Sequence, residues 1–271
     1  MLSVSRRWRT DGQKIVLVPT MGALHEGHLS LIKHGRRLAD KLVVSIFVNP
    51  AQFGPREDFS RYPRTFSADK RNCLTAGVDA LFCPKTEAIY PTGFDTWVNV
   101  DILTSILEGA ARPAHFRGVC TIILKLLNII APDIAVFGQK DFQQGVVIRR
   151  MVDDLNLAVK IVMGSTVREA DGLALSSRNI YLSATQRKVA GVLYRTLVWA
   201  KRQVAAGKNR SAGLIEQMRR TIERKSDFQV EYIEFADPQT MKRQRIISPP
   251  TVILLAARLG RTRFIDNLIL K

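Results

Sequence analysis

Two of the chain's four histidines, His25 and His28, stand three residues apart in VPTMGALHEGHLSLI, just behind Gly22 and just ahead of an apolar run. Imidazoles at that place can donate hydrogen bonds to phosphate or carry its proton. Three further polar clusters fit the same kind of ligand. FGQKDFQQ offers Gly138 for close backbone approach, Lys140 as a mobile positive charge, and Gln144 on the helical face of Asp141. ALSSRN puts Ser176 and Ser177 beside Arg178, a set that can clasp a triphosphate while charge develops on it. VNPAQF supplies Asn49 and Gln52, uncharged hydrogen-bonders suited to the hydroxyls or carboxylate of a small polar substrate. Together they describe adenylate chemistry, in which a carboxylate attacks the α-phosphate of ATP and catalysis is mostly positioning and charge neutralisation.

Plainer readings accompany each cluster. Histidines at i and i+3 share a helix face and can bind metal, though no acidic or cysteine partner stands at metal spacing. Asn49-Pro50 is also turn chemistry, Asp141 a helix cap, and a serine-rich loop a linker. His115, in the irregular stretch LEGAARPAHFRGV, has no evident partner and is assigned a structural role.

The elements that must hold these groups alternate. KIVLVP (Lys14 to Pro19), LVVSIFV (Leu42 to Val48), VDALFC (Val78 to Cys83), PDIAVFG (Pro132 to Gly138) and AVKIVM (Ala158 to Met163) are short apolar runs that read as buried strands. Helical patterns lie between them, at Ser67 to Ala76, Val119 to Ile130 and Asp141 to Leu155. That rhythm predicts a Rossmann-like, doubly wound parallel α/β sheet, with ligands beyond the carboxyl ends of its strands. GxGxxG is absent, so a dinucleotide site is not supported. GSTVREADGLALSSRN reads as a long loop. Helices at Ala184 to Ala206 and Ala212 to Lys225 and three strand candidates follow it, so a smaller α+β domain (167–271) is expected after the first (1–166).

Composition narrows the class. At 271 residues, 46% hydrophobic and 24% charged, the chain can bury a full core, and no apolar run reaches transmembrane length. MLSVSRRWRTDGQK is basic without an apolar core, so no secretory signal is expected. Cys73, Cys83 and Cys120 are scattered, which fits reduced thiols in the cytoplasm. The net charge of +17 admits a nucleic-acid partner, but the basic residues are spread along the chain without a dense block. A positive field also attracts small anionic substrates.

PTMGALHEGH, SIFVNPAQF, RYPRT, HFRGVCTIILKLLNIIAPDIAVFGQKDFQQ and VREADGLALSSRNIYLS occur in this order. Five such motifs in register over nearly the whole chain resemble the pantoate–β-alanine ligases, members of the nucleotidylyltransferase superfamily, whose HIGH-type motif is seen here as His25-Glu26-Gly27-His28. The resemblance implies ATP-dependent condensation of pantoate with β-alanine through pantoyl adenylate, by a homodimer that pairs through its first domain, with Mg2+ accompanying ATP. It implies that Met21, Gly22, Ala23, Leu24, His25, Glu26, Gly27 and His28 form the ATP turn, with His28 the proton donor and His25 a phosphate contact. Gln52 and Gln144 would hold pantoate, Gln52 also lying near β-alanine. Gly138, Gln139, Lys140 and Asp141 would meet ribose and phosphates, and Val167 would offer main chain to adenine. Leu175, Ser176, Ser177 and Arg178 would close over the triphosphate as a KMSKS-like element. The Mg2+ ligands are undetermined, with Asp69 one guess. An acid of the family's usual GEKD is Gln139 here, and a common Val-Pro pair is Gly164-Ser165. The N-terminus is shorter than usual, so part of a first helix is expected to be missing. Another adenylate-forming enzyme on the same scaffold, or a basic nucleic-acid-binding protein without catalysis, remain the alternatives.

Overall fold

A computed structural model describes residues 1–55, 57–224 and 227–271. Arg56 of FGPREDFSRYPRT and Lys225, the expected end of the last helix, lie outside the described residues, as does Ser226. The chain forms two compact units. One comprises Met1–Gln139 and Gln143–Ser165, the other Lys140–Phe142 and Thr166–Lys271.

The first unit is built on five parallel strands: β1 (Ile15–Thr20), β2 (Lys41–Ile46), β3 (Ala80–Phe82), β4 (Ile134–Gly138) and β5 (Lys160–Gly164). Their order is β3-β2-β1-β4-β5, with Val16 of β1 opposite Leu42 on one side and Ile134 on the other. Ile15 to Val18 are wholly buried, as a strand covered on both faces must be, which is why the run is continuously apolar. The chain begins at the centre, winds out to β3 and returns on the other side of β1. The sheet therefore reverses between β1 and β4, and ligand crevices form outside the carboxyl ends at such a reversal.

Among the described residues, the helices of this unit are α1 (Leu2–Thr10), α2 (Glu26–Arg36), α3 (Phe66–Thr75), α4 (Thr86–Ile89), α5 (Glu108–Ala111), α6 (His115–Ile130) and α7 (Phe142–Asp154). Helix α2 lies close on the sheet because Gly35 carries no side chain. A Cβ there would stand 3.3 Å from both Leu42 Cδ1 and Val18 Cγ2. Helix α6 begins four residues ahead of the apolar stripe that marks it in the sequence. It ends at Ala131, whose φ of 47° is left-handed. Nine residues of α1 are helical at the N-terminus, with Arg9 donating to the Ala131 carbonyl.

The second unit packs α8 (Ala184–Ala190), α9 (Val192–Ala205) and α10 (Ser211–Arg224) with an antiparallel sheet, β6 (Phe228–Ala236), β7 (Thr251–Leu259) and β8 (Thr262–Leu270). Leu193, Leu197, Met218, Phe235 and Leu255 lie at its core. One expectation is corrected here. The single helix over Ala184 to Ala206 is broken at Gly191, a position that admits no Cβ because one would stand 2.6 Å from Asp171 Oδ2. Among the described residues the expected long loop carries no helix or strand between β5 and a 3-10 turn at Ser177–Tyr181, and main-chain bonds tie it across: Arg168 bridges Ala174, Glu169 N–H donates to Leu173 and Leu175 N–H to Val167. Its turn residue Gly172 (φ 90°) leaves room for the Tyr194 ring. So short a ladder has no hydrophobic period to betray it. Among the described residues no helix is long and apolar enough to cross a membrane.

Candidate active site

The turn from β1 into α2 is built from two successive left-handed residues, Gly22 (φ 82°) and Ala23 (φ 50°). Glycine takes this conformation freely, whereas for alanine it costs about 1–2 kcal/mol. Asp69 of α3 holds the turn against that cost. Its carboxylate, 2% exposed, accepts the N–H of Ala23 at 3.0 Å and of Leu24 at 2.8 Å, and the Thr65 hydroxyl at 3.1 Å. Both oxygens of Asp69, offered above as one guess for a Mg2+ ligand, thus accept hydrogen bonds from the turn and from Thr65.

His25 is the N-cap of α2. Its Nδ1 accepts the Gly27 N–H at 3.1 Å, and His28 Nδ1 accepts the His25 N–H at 3.4 Å, a reciprocal capping box made of two imidazoles. The ring centroids are 4.1 Å apart. Because each Nδ1 accepts, each neutral ring carries its proton on Nε2. Two imidazole donors thus stand at a helix N-terminus beside the sheet reversal, an arrangement suited to an anion. Within the turn Met21 is half-buried, Gly22 buried and Glu26 exposed.

Asn49 and Gln52 part company. Asn49 is wholly buried: its Oδ1 accepts Ala51 N–H and Tyr90 Oη–H, and its Nδ2 donates to the Gly118 carbonyl. Its assignment as a substrate ligand is corrected to a residue that shapes the 3-10 turn Pro50–Gln52. Gln52 itself is half-buried. The main chain around it is held by α6, whose Gly118 has no room for a Cβ beside the Ala51 carbonyl. His115, assigned a structural role, has partners that the sequence did not show. Its Nδ1 lies 2.8 Å from the Gln52 carbonyl and its Nε2 lies 3.1 Å from Arg112 Nη1. The adjacent glutamines of α7 divide likewise. Gln143 is buried and bonds Leu103, Ile106 and Glu108 main chain, while Gln144 is half-buried.

At the end of β4, Gly138 pairs with Gly164 of β5, and a Cβ on Gly138 would stand 3.6 Å from Leu31 Cδ1. The Gly164 departure has a packing reason, since a Cβ there would overlap Leu31 Cδ2. Gln139 opens a 3-10 turn that continues through Lys140 to Asp141.

In the second unit the Lys140 carbonyl accepts from Asn267 Nδ2 at 3.0 Å, and its Nζ is 3.5 Å from Asp141 Oδ1. Ser176 Oγ accepts the Arg178 N–H at 3.3 Å, so this serine caps the turn that carries Ser177 and Arg178. Val167 and Leu175 are joined through the main chain. The framework behind them was not apparent from sequence. Arg168 grips Asp266 of β8 with two bonds of 2.7 and 2.9 Å and lies 3.9 Å over the Tyr194 ring. Arg187 holds both Glu169 and Asp171. The available signal was Asp266-Asn267, two polar residues inside an otherwise apolar strand.

The first unit thus gathers Met21 to His28 and Gly138–Gln139 at its sheet reversal. The second carries Lys140, Asp141, Val167 and Leu175 to Arg178. Among the described residues no group of three or more His, Cys, Asp or Glu could hold a metal ion. Mg2+ keeps water and phosphate ligands and commonly travels with a nucleotide, so it is treated as part of the ATP substrate.

Known proteins match this chain in sequence and in fold. A family model described as pantoate-beta-alanine ligase matches residues 1–269. Pantothenate synthetase of Dehalococcoides mccartyi is 51% identical over 254 residues, 94% of this chain and 95% of the relative. That of Desulfatibacillum aliphaticivorans is 48% identical over 271 residues, 100% and 96% respectively. The crystal structure of pantothenate synthetase from Thermus thermophilus matches with a TM-score of 0.93 at 42% identity, covering 97% of this chain and 96% of that one. A pantoate-beta-alanine ligase from Francisella tularensis, complexed with beta-gamma ATP and beta-alanine, matches with a TM-score of 0.82 at 34% identity, covering 99% and 95%. By these matches in sequence and in fold, the chain belongs to the pantoate–β-alanine ligase family.

Proposed function

We propose that this ligase uses ATP to condense pantoate with β-alanine, through pantoyl adenylate. The observation that carries the reading is the imidazole capping box of His25 and His28 on a turn clamped by Asp69. It supplies fixed N–H donors where an anion is expected, with no reorganisation needed as charge develops. In the first step a carboxylate oxygen of pantoate attacks the α-phosphorus of ATP, and the bond to the bridging oxygen breaks to release pyrophosphate. In the second the β-alanine amine attacks the acyl carbon and AMP leaves.

The residues divide this work. His28 donates its Nε2–H to the reacting phosphate and His25 binds a neighbouring oxygen, aided by the amides of Met21 to Gly27. Gln52 and Gln144 bind the hydroxyls and carboxylate of pantoate, Gln52 also facing β-alanine. Gly138, Gln139 and Asp141 meet the ribose, Lys140 neutralises phosphate charge, and Val167 meets adenine through its main chain. Ser176, Ser177 and Arg178, with Leu175 beside them, act on the triphosphate. Buried Cys73 and Cys120, both free thiols, support a cytoplasmic enzyme. The family resemblance supports a homodimer through the first domain.

The test is product formation by purified protein with Mg2+, ATP, pantoate and β-alanine, omitting each in turn. Pantothenate and AMP that require all of them support the reading. Nucleotide turnover indifferent to pantoate, or none at all, overturns it.

A further inference from the structure

His115 opens α6 without a part in the reaction just described, yet its ring is placed with unusual definition. The Gln52 carbonyl receives two donors, His115 Nδ1–H at 2.8 Å and Arg112 Nη2 at 3.1 Å. That occupies both lone pairs of one oxygen. The Gln52 N–H is also bound, to the Asn49 carbonyl at 3.2 Å. Arg112 is itself fixed, gripping Glu57 through Nε at 2.7 Å and Nη2 at 2.6 Å, while its Nη1 donates to His115 Nε2. The tautomer follows: with Nε2 accepting from a guanidinium, His115 is neutral and protonated on Nδ1, opposite to His25 and His28. Burial and the Arg112 cation keep it so, pushing the ring down to about 4 against weaker opposition from the Gln52 carbonyl, Glu108 and Glu57.

The consequence is geometric. With its N–H and C=O both tethered, the Gln52 main chain cannot rotate, and the side chain leaves it in one direction. We propose that His115, backed by the Arg112–Glu57 pair, is a positioning residue for Gln52 that sets how this amide meets the hydroxy acid. The inference rests on the reading that Gln52 binds pantoate.

The test compares His115→Leu, His115→Asn and Gln52→Ala, with kcat and the KM of each substrate measured separately. Asparagine keeps an N–H where Nδ1 stood and leucine removes it. His115→Leu is expected to raise the pantoate KM about tenfold, the effect of one hydrogen bond, with the ATP KM within twofold. His115→Asn is expected to restore most of that loss, and His115→Leu to add nothing in the Gln52→Ala background. Glu57→Gln, which loosens Arg112 without touching the ring, is expected to raise the pantoate KM severalfold and serves should His115→Leu not fold. If Gln52→Ala raises the pantoate KM but neither the His115 nor the Glu57 variants do, the positioning role is wrong and the Gln52 assignment stands. If Gln52→Ala leaves that KM unchanged, the underlying assignment fails and the inference with it.

Discussion

Asp69→Asn isolates the device that shapes the nucleotide turn. The substitution preserves volume but removes the charge and replaces one acceptor oxygen with a donor. Asp69 accepts two main-chain N–H groups, from Ala23 at 3.0 Å and Leu24 at 2.8 Å. The amide oxygen can keep one of them, and the other then faces an NH2 group at a site only 2% exposed. A hydrogen bond to a charged group contributes about 1.5–3 kcal/mol, and the stranded N–H adds a desolvation penalty. Relaxation of the left-handed Ala23 returns about 1–2 kcal/mol of that. A net loss of about 2–3 kcal/mol corresponds to a fall in kcat/KM for ATP of roughly 30- to 150-fold, and to a drop in Tm on the order of 4–10 °C. Steady-state kinetics with ATP and Mg2+ varied independently, together with a thermal melt, measure both. The Mg2+ dependence should be unchanged. A kcat/KM within threefold of wild type at an unchanged Tm would refute the clamp. A changed Mg2+ requirement alone would support Asp69 as a metal ligand.

Other outcomes follow from the same geometry. His28→Ala should lower kcat at least about 100-fold while a melt registers only a lost cap, about 0.5–2 kcal/mol; near-normal turnover would remove His28 from the chemistry. Gln144→Ala should raise the pantoate KM and leave that for ATP alone; the reverse pattern would sink its assignment. Gly118→Ala would drive a methyl into the Ala51 carbonyl, destabilising by about 3 kcal/mol in denaturant titration and raising the pantoate KM through the displaced turn. The His115 ring falls from its ordinary 6.5 to about 4 on folding. The unfolded chain then binds more protons between those values, so stability is full above pH 6.5 and lost as pH falls toward 4. The loss is on the order of 1–3 kcal/mol, allowing for the part of the ring that meets solvent. It should vanish in His115→Asn, and an unaltered acid limb there would contradict the assignment.

What could be read directly from the chain was whatever depends on neighbours in sequence. Ile15 to Val18 is an unbroken apolar run because it is buried on both faces, so β1 was legible, as were the glycine turn and the histidine spacing behind it. What stayed hidden depends on partners brought in from afar. Nothing local distinguishes Asn49, turned inward to Gly118 69 residues away, from Gln52 three positions on. Asp69 reads as an ordinary helix acid until Ala23 appears 46 residues upstream. The Arg168–Asp266 grip joins residues 98 apart. Gly191 must lack a side chain because Asp171, 20 residues upstream, lies against it, a closeness that no local pattern announces.

The acyl adenylate is tested most directly with pantoate labelled with 18O in its carboxylate. One of those oxygens becomes the bridge to the α-phosphorus and stays with phosphorus when the amine displaces AMP. The account predicts one labelled oxygen in AMP and none in pyrophosphate. Unlabelled AMP, or label released in inorganic phosphate, would contradict it.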